Sequence, residues 1–322
     1  MLGYGLRRLG ASLLLLWLVL TGTFFLIHLA PGEPAVLFEN RELGPEQRQA
    51  LEALYGFDQP LLVQYGRWLG GVLRGDWGSS LSLRRPVADL ILERLGPTIL
   101  LVGSALVLEH LAGLPLGLLA ARRAGSGFDR LLRAGALLMA STPAFLVGLV
   151  LLGLFAVRWP LFPAGNMSSD DAAFLGPWSR LLDLAHHLAL PAATLALVRC
   201  VGVLRHVRNG LLDVLQQDFI VAARARGLSE SAVLWRHALP NVLGPLIQRL
   251  GVSLPLLLSG VVVLEVVFSW PGLGTLGYQA ILQRDIPLVL AATGFSALLV
   301  ILGGLGADLA HGWIDPRVQR VR

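Results

Sequence analysis

Glu109 and His110 stand side by side inside one long apolar run, and Arg199 stands inside another. Ionisable groups surrounded by apolar residues are costly and are functional candidates by default. Two readings stay open. Glu109 or His110 lines a polar pathway, with Glu109 meeting Arg199 or a cationic ligand group; or these groups pair with each other or with a neighbouring chain, which is how such charges usually settle. His186 and His187 are adjacent, so on a helix they face different ways and make a poor metal pair. No H-E-x-x-H and no Ser/His/Asp ordering accompanies them, so the sequence offers no catalytic residue and no metal site. The single cysteine, Cys200, sits in an apolar stretch and reads as a small buried hydrophobe. All 26 basic residues are arginine. Without lysine the chain has neither a P-loop to hold nucleotide phosphates nor a Schiff-base nucleophile.

The elements that position these groups are set by composition. Of 322 residues 55% are hydrophobic and 15% charged, with a mean hydropathy of +0.67, which places the chain among integral membrane proteins. Apolar runs long enough to cross a bilayer are Leu9 to Leu29, Thr98 to Ala121, Leu131 to Val157, Leu188 to Leu204, Leu246 to Phe268 and Pro287 to Leu309. The first follows Arg7 and Arg8 as a secretory signal would. It exceeds the roughly 7 to 15 apolar residues of such a signal and matches the ~20 of a span, so it is read as an uncleaved helix. Continuous apolarity rather than alternation argues for helices over a barrel. The predicted fold is an all-α integral membrane protein with about six transmembrane helices.

Arginines at the helix ends orient it. Arg7 and Arg8, then Arg122, Arg123, Arg130 and Arg133, then Arg205, Arg208, Arg224, Arg226 and Arg236, and finally Arg317, Arg320 and Arg322 share one side. The opposite short loops carry only Arg158, Arg180 and Arg284. Both termini are therefore expected in the cytoplasm. The expected layout is a tail and first helix over 1–29, an ordered extracytoplasmic cap of short helices over 30–97, a transmembrane domain over 98–309 and a cytoplasmic tail over 310–322. Within the cap, Pro45 suits the first position of a helix over Glu46 to Tyr55. His28 and Asp308 fall near span ends, and of Trp17, Trp159, Trp270 and Trp313 most fall at predicted boundaries, where interface anchoring is expected.

Between the fourth and fifth helices, Leu211 to Asn241 is polar enough to leave the membrane yet patterned like short helices. The stretch Asp218 to Leu228 reads as a small-residue helix that stops at Gly227, and Ser229 as the N-cap of a second helix running to Ala238 and ending near Pro240. Such a knob is either a basic loop on anionic headgroups or a docking element for a cytoplasmic partner. Composition leaves both open.

The segment resembles the "EAA" loop of ATP-binding-cassette importer permeases, E-A-A, three residues, G, nine residues, I-x-L-P. Ala222, Ala223, Gly227, Leu239 and Pro240 fit that spacing, while Val221 replaces the glutamate and His237 the isoleucine. Ala223-Arg224-Ala225-Arg226-Gly227-Leu228 and His237-Ala238-Leu239-Pro240-Asn241 are similar to the dipeptide, oligopeptide and nickel branch of that family. Further landmarks of the branch follow in order: Leu6 to Leu9, Pro31 to Ala35, Gly56 to Pro60, Gly75 to Ser80, Glu265 to Gly274, Arg284 to Pro287 and Asp315 to Arg317.

The resemblance implies a permease subunit in a bacterial plasma (inner) membrane that forms half of a pathway for peptides. Its implied partners are a homologous second permease, two cytoplasmic ATPases and an extracytoplasmic substrate-binding protein, with membrane lipid around it and no nucleic acid. ATP and magnesium would reside in the ATPases, and this chain would hold no cofactor. By the family's mechanism residues 218–236 form a coupling helix in a groove of the ATPase, and the implied coupling residues are Asp218, Ala222, Ala223, Arg224, Gly227, Leu228, Glu230 and, just beyond the segment, His237. Glu265, Trp270, Pro271 and Gly272, where glycines and a proline follow the fifth helix, are expected to be an external gate or a rigid turn. Glu109, His110 and Arg199 remain pathway candidates that the family pattern does not single out. Nickel or a nickel chelate is the alternative cargo; three methionines and few histidines offer no soft-metal path. An ion-coupled secondary transporter is a third reading, although no inverted repeat is seen.

Overall fold

A computed structural model describes residues 2–30 and 44–314. Pro31 to Ala35, Asp315 to Arg317, Arg320 and Arg322 lie outside the described residues. Helices α1 (Leu2–Leu29), α2 (Pro45–Tyr55), α3 (Leu61–Leu73), α4 (Val87–Arg122), α5 (Gly127–Ser141), α6 (Ala144–Leu152), α7 (Pro177–Val214), α8 (Asp218–Ala225), α9 (Leu239–Val267), α10 (Leu273–Gln283) and α11 (Ile286–Ile314) carry nearly all regular structure. One isolated bridge, Ser79 with Pro86, is the extent of β structure among the described residues.

Among those residues, four helical stretches are long and apolar enough to cross a membrane: Arg7–Leu29, Val87–Arg122, Pro177–Val214 and Ile286–Gly306. The apolar run at 246–268 lies almost wholly within α9. The run at 131–157 is not one straight helix: α5 and the helix Ala144–Arg158 meet at 104°. Pro143 accounts for the break, because the residue before proline is pushed out of the helical region. Thr142 is accordingly extended, at φ −96° and ψ 127°. Ser141 Oγ and Thr142 Oγ1 donate to the carbonyls of Leu137 and Leu138 at 3.0 and 2.8 Å, and the Leu138 carbonyl is one that the helix end leaves open.

The chain divides into two compact units. The first contains Met1–Thr98 and Pro271–Ile301. Here the expected short helices are present, α2 with Pro45 in its first turn and Gly56 closing it at φ 75°. Tyr65 of α3 shares a 2.8 Å hydrogen bond with Thr21 and accepts one from Trp17, while Trp68 stacks on Phe24. Val87 and Ile91 of α4, Leu273 and Leu276 of α10, and Leu288 and Ala291 of α11 form a shared core.

The second unit contains Ile99–Trp270 and Leu302–Arg322. Its centre is α7, with Leu190, Leu195, Val203, Val207 and Leu211 all buried. Gly113 and Gly117 of α4 let that helix approach closely: a Cβ at Gly113 would fall 2.6 Å from Val203 Cβ, and one at Gly117 would fall 2.8 Å from Val207 Cβ. Small residues four apart are what close helix contact within a membrane requires.

Candidate functional site

The segment after α7 folds into a knob. Gln217 stands before α8 in an extended conformation, and Gly227 terminates the helix at φ 80°. Gly227 N donates to Arg224 O and Leu228 N to Ala223 O. This is the paired closing pattern that a left-handed residue allows. Ser229 Oγ then accepts from Ala232 N at 3.3 Å and starts a new turn, Glu230–Ala232. That turn does not end near Pro240, as the sequence suggested. It widens into a π-helical stretch, Val233–Ala238, and runs on into α9 with Pro240 in the first turn. Proline has no N–H and its ring crowds the carbonyl four residues back, so a wide turn ahead of it removes the conflict. Asn241 Nδ2 donates to the carbonyl of His237 at 2.6 Å.

The knob is amphipathic. Ile220, Ala223, Val233, Leu234 and Ala238 face inward with Val207 and Leu211 of α7 and Val242 of α9 in one core. Outward stand Phe219, Val221, Leu228 and Trp235, which are 41%, 56%, 38% and 52% exposed, together with Asp218, Ala222, Arg224 and Gly227. Arg224 and Glu230 clamp across the Gly227 turn through two hydrogen bonds of 2.8 and 3.1 Å. The guanidinium holds the Glu230 carboxyl below its ordinary value and is itself raised by the carboxylate. Small, apolar and paired charged groups thus form a rigid relief with alanines that permit close approach.

The expected gate residues divide between the two units. Glu265 is fully buried at the end of α9. Ser269 is left-handed at φ 50°, and Trp270 N returns to the carbonyl of Glu265 at 2.7 Å. The Trp270 ring is wholly buried with Leu264 and Phe268. Pro271 is half-buried, and Gly272 caps α10 in an extended conformation. Glu109 is buried in α4, one turn before Gly113. Its Oε1 lies 3.5 Å from His110 Nδ1, which also bonds the Leu106 carbonyl at 2.8 Å. Arg199 is partly exposed on α7.

Two groups had no role in the sequence reading. Asp129, fully buried, is gripped by Arg208. Asp285, also fully buried, accepts from Ser82 N and Oγ and from Leu288 N. In the sequence Arg208 reads only as one of the orienting arginines and Asp285 only as part of a landmark; nothing local marks either as half of a pair.

The sequence pattern described as "binding-protein-dependent transport system inner membrane component" matches residues 113–320, and that of the corresponding N-terminal region matches residues 1–102. The chain is 36% identical over 320 residues to the oligopeptide transport system permease protein AppB of Bacillus subtilis (strain 168), covering 99% of this chain and 100% of that one. It is 34% identical over 336 residues to the dipeptide transport system permease protein DppB of Escherichia coli (strain K12), covering 99% of each. Among solved structures, an inward-facing form of the MetNI methionine ABC transporter aligns with a TM-score of 0.53 at 19% identity, over 71% of this chain and 97% of that one, a likeness of fold.

Proposed function

This chain belongs to the family of binding-protein-dependent transport system inner membrane components and is an ABC importer permease, and on that premise we propose that it forms half of a translocation pathway for di- or oligopeptides, driven by ATPases on separate chains. The observation that carries the reading is the knob at 218–238, which packs one face into the core with α7 and α9 and leaves Phe219, Val221 and Trp235 about half exposed on the other. Exposed apolar side chains on an ordered, hydrogen-bonded relief are the anatomy of a contact surface rather than of a linker. In this reading an ATPase groove receives the knob, which lies with the arginine-rich ends on the cytoplasmic side of a bacterial inner membrane. Closure of the ATPase pair on nucleotide then favours one of two arrangements of the membrane helices, by as much as its affinity for the knob differs between them. A binding protein on the opposite face supplies the cargo, and the peptide names of the relatives favour peptide over nickel.

The test is co-purification of the full chain with its partner permease and ATPase subunits, comparing wild type with Val221→Asp. Val221 is more than half exposed, so the change tests the surface and not the fold. Wild type is expected to retain the ATPase and the variant to release it. A wild-type chain that binds no ATPase, and that moves solute in vesicles by itself, would replace this reading with a secondary transporter.

A further inference from the structure

The turn between α4 and α5 is tied to the end of α7 through one carboxylate. Asp129 is the third residue of α5, where its N–H donates to the N-cap Ser126 Oγ at 3.2 Å. Its Oδ1 accepts from Arg208 Nε at 2.7 Å, and its Oδ2 accepts from Arg208 Nη2 at 2.8 Å and from Gly125 N at 3.0 Å. Arg133 Nε stands 3.6 Å from Oδ2. Arg208 Nη1 turns the other way, to Asn209 Oδ1 at 3.0 Å. Asp129 is completely buried and the Arg208 side chain is 14% exposed.

A forked guanidinium–carboxylate pair fixes orientation as well as distance, which a slipping apolar contact does not. A buried ion pair is a poor device for stability alone, because desolvation consumes most of the attraction. Its placement gives it another use. Arg208 lies between Val207 and Leu211, both fully buried in the core that also holds Ile220 and Ala223 of α8 and Val233 of the knob. One turn of α7 therefore holds the knob on one face and grips Asp129 on another.

We infer that Asp129 and Arg208 are a positioning pair that passes displacement of the knob to α5 and to the α4–α5 turn, so that α4, α5 and α7 move together when the ATPases close. This rests on the coupling role proposed above and extends it to residues outside the 218–236 segment.

The test uses the whole complex of two permeases, ATPases and binding protein in proteoliposomes, with ATP hydrolysis and peptide uptake measured in the same vesicles. Asp129→Asn removes the charge, while Arg208→Lys keeps a charge and loses the fork. Both are expected to retain the ATPase and hydrolyse ATP near the wild-type rate, while uptake per ATP falls about tenfold, the scale of a typical coupling free energy. Should Asp129→Asn not assemble, Arg208→Lys decides on the same ratio. An unchanged ratio overturns the inference. So does a parallel fall of hydrolysis and uptake, which is the mark of a merely structural pair. If the wild-type complex holds no ATPase, the coupling reading itself is at fault and the pair loses its role with it.

Discussion

Asp285 accepts hydrogen bonds from the backbone N–H of Ser82 at 2.9 Å and from its hydroxyl at 2.7 Å, joining residues 203 apart in the chain. The Ser80 hydroxyl donates to the same oxygen. The other oxygen receives Leu288 N at the start of α11. One carboxylate thus pins the loop after α3 to the first turn of the last helix.

Removing that carboxylate strands several buried donors at once. Asp285→Ala is expected to destabilise the protein by about 3 kcal/mol, the scale of a buried charged acceptor lost from its partners. Thermal unfolding in detergent checks this, with Ser82→Ala costing less because it removes one hydroxyl and leaves the backbone donor paired. Equal midpoints for Asp285→Ala and wild type would refute it.

Two glycines of α4 predict opposite outcomes. A Cβ at Gly113 would collide with Val203 and sit 2.9 Å from the Cys200 carbonyl oxygen, whereas at Gly103 it meets nothing within 4 Å. Gly113→Ala is expected to lose about 1–3 kcal/mol by overpacking. Gly103→Ala is expected to gain up to about 1 kcal/mol of helix propensity. The same melting measurement separates them, and a Gly113→Ala protein as stable as Gly103→Ala would show that α4 and α7 are not in close contact.

Gly227 is a test of backbone alone. Its φ is 80° and nothing lies within 4 Å of where its Cβ would be. Valine in that conformation costs roughly 1–2 kcal/mol, and asparagine less, because its short polar side chain tolerates the left-handed region. Gly227→Val should weaken ATPase retention in co-purification while Gly227→Asn keeps it. The reverse order would mean that the turn is not what presents the surface.

The Arg224–Glu230 clamp sets an acid limit. The carboxyl of Glu230 is depressed by the guanidinium, so what the pair contributes is present above the ordinary carboxylate value of 4.5 and lost as the pH falls through the lower folded value. ATPase retention is therefore expected to be unaffected by this group from about pH 6 to 9. Arg224→Ala should shift the melting midpoint little, since solvent screens an exposed ion pair. A steep loss of retention between pH 6 and 7 would show that this pair is not what sets the pH limit.

The membrane character, the positions of the apolar runs and the closure of the knob at Gly227 were legible from residues alone, because each depends on a short stretch of chain. A run of about 20 apolar residues must be helical in lipid, and a glycine after a small-residue helix is the natural place for a left-handed stop. Pro240 misled for the same reason. Locally it reads as a helix end, and only the π-helical turn ahead of it lets Val233–Ala238 continue into α9. Pro143 carried the signal for the 104° break, which hydropathy averages away because both sides of the bend are apolar.

By itself, then, the sequence determined that this chain lies in a membrane, which ends of its helices carry arginine, that it has no lysine for a P-loop, and where a polar segment of short helices interrupts the apolar runs. Tertiary structure decided the partners of its buried charges. Asp129 meets Arg208 across 79 residues and Asp285 meets Ser82 across 203. A hydrogen bond depends on a distance in space, and neither residue's neighbours in the chain encode which distant element the packed helices will bring beside it.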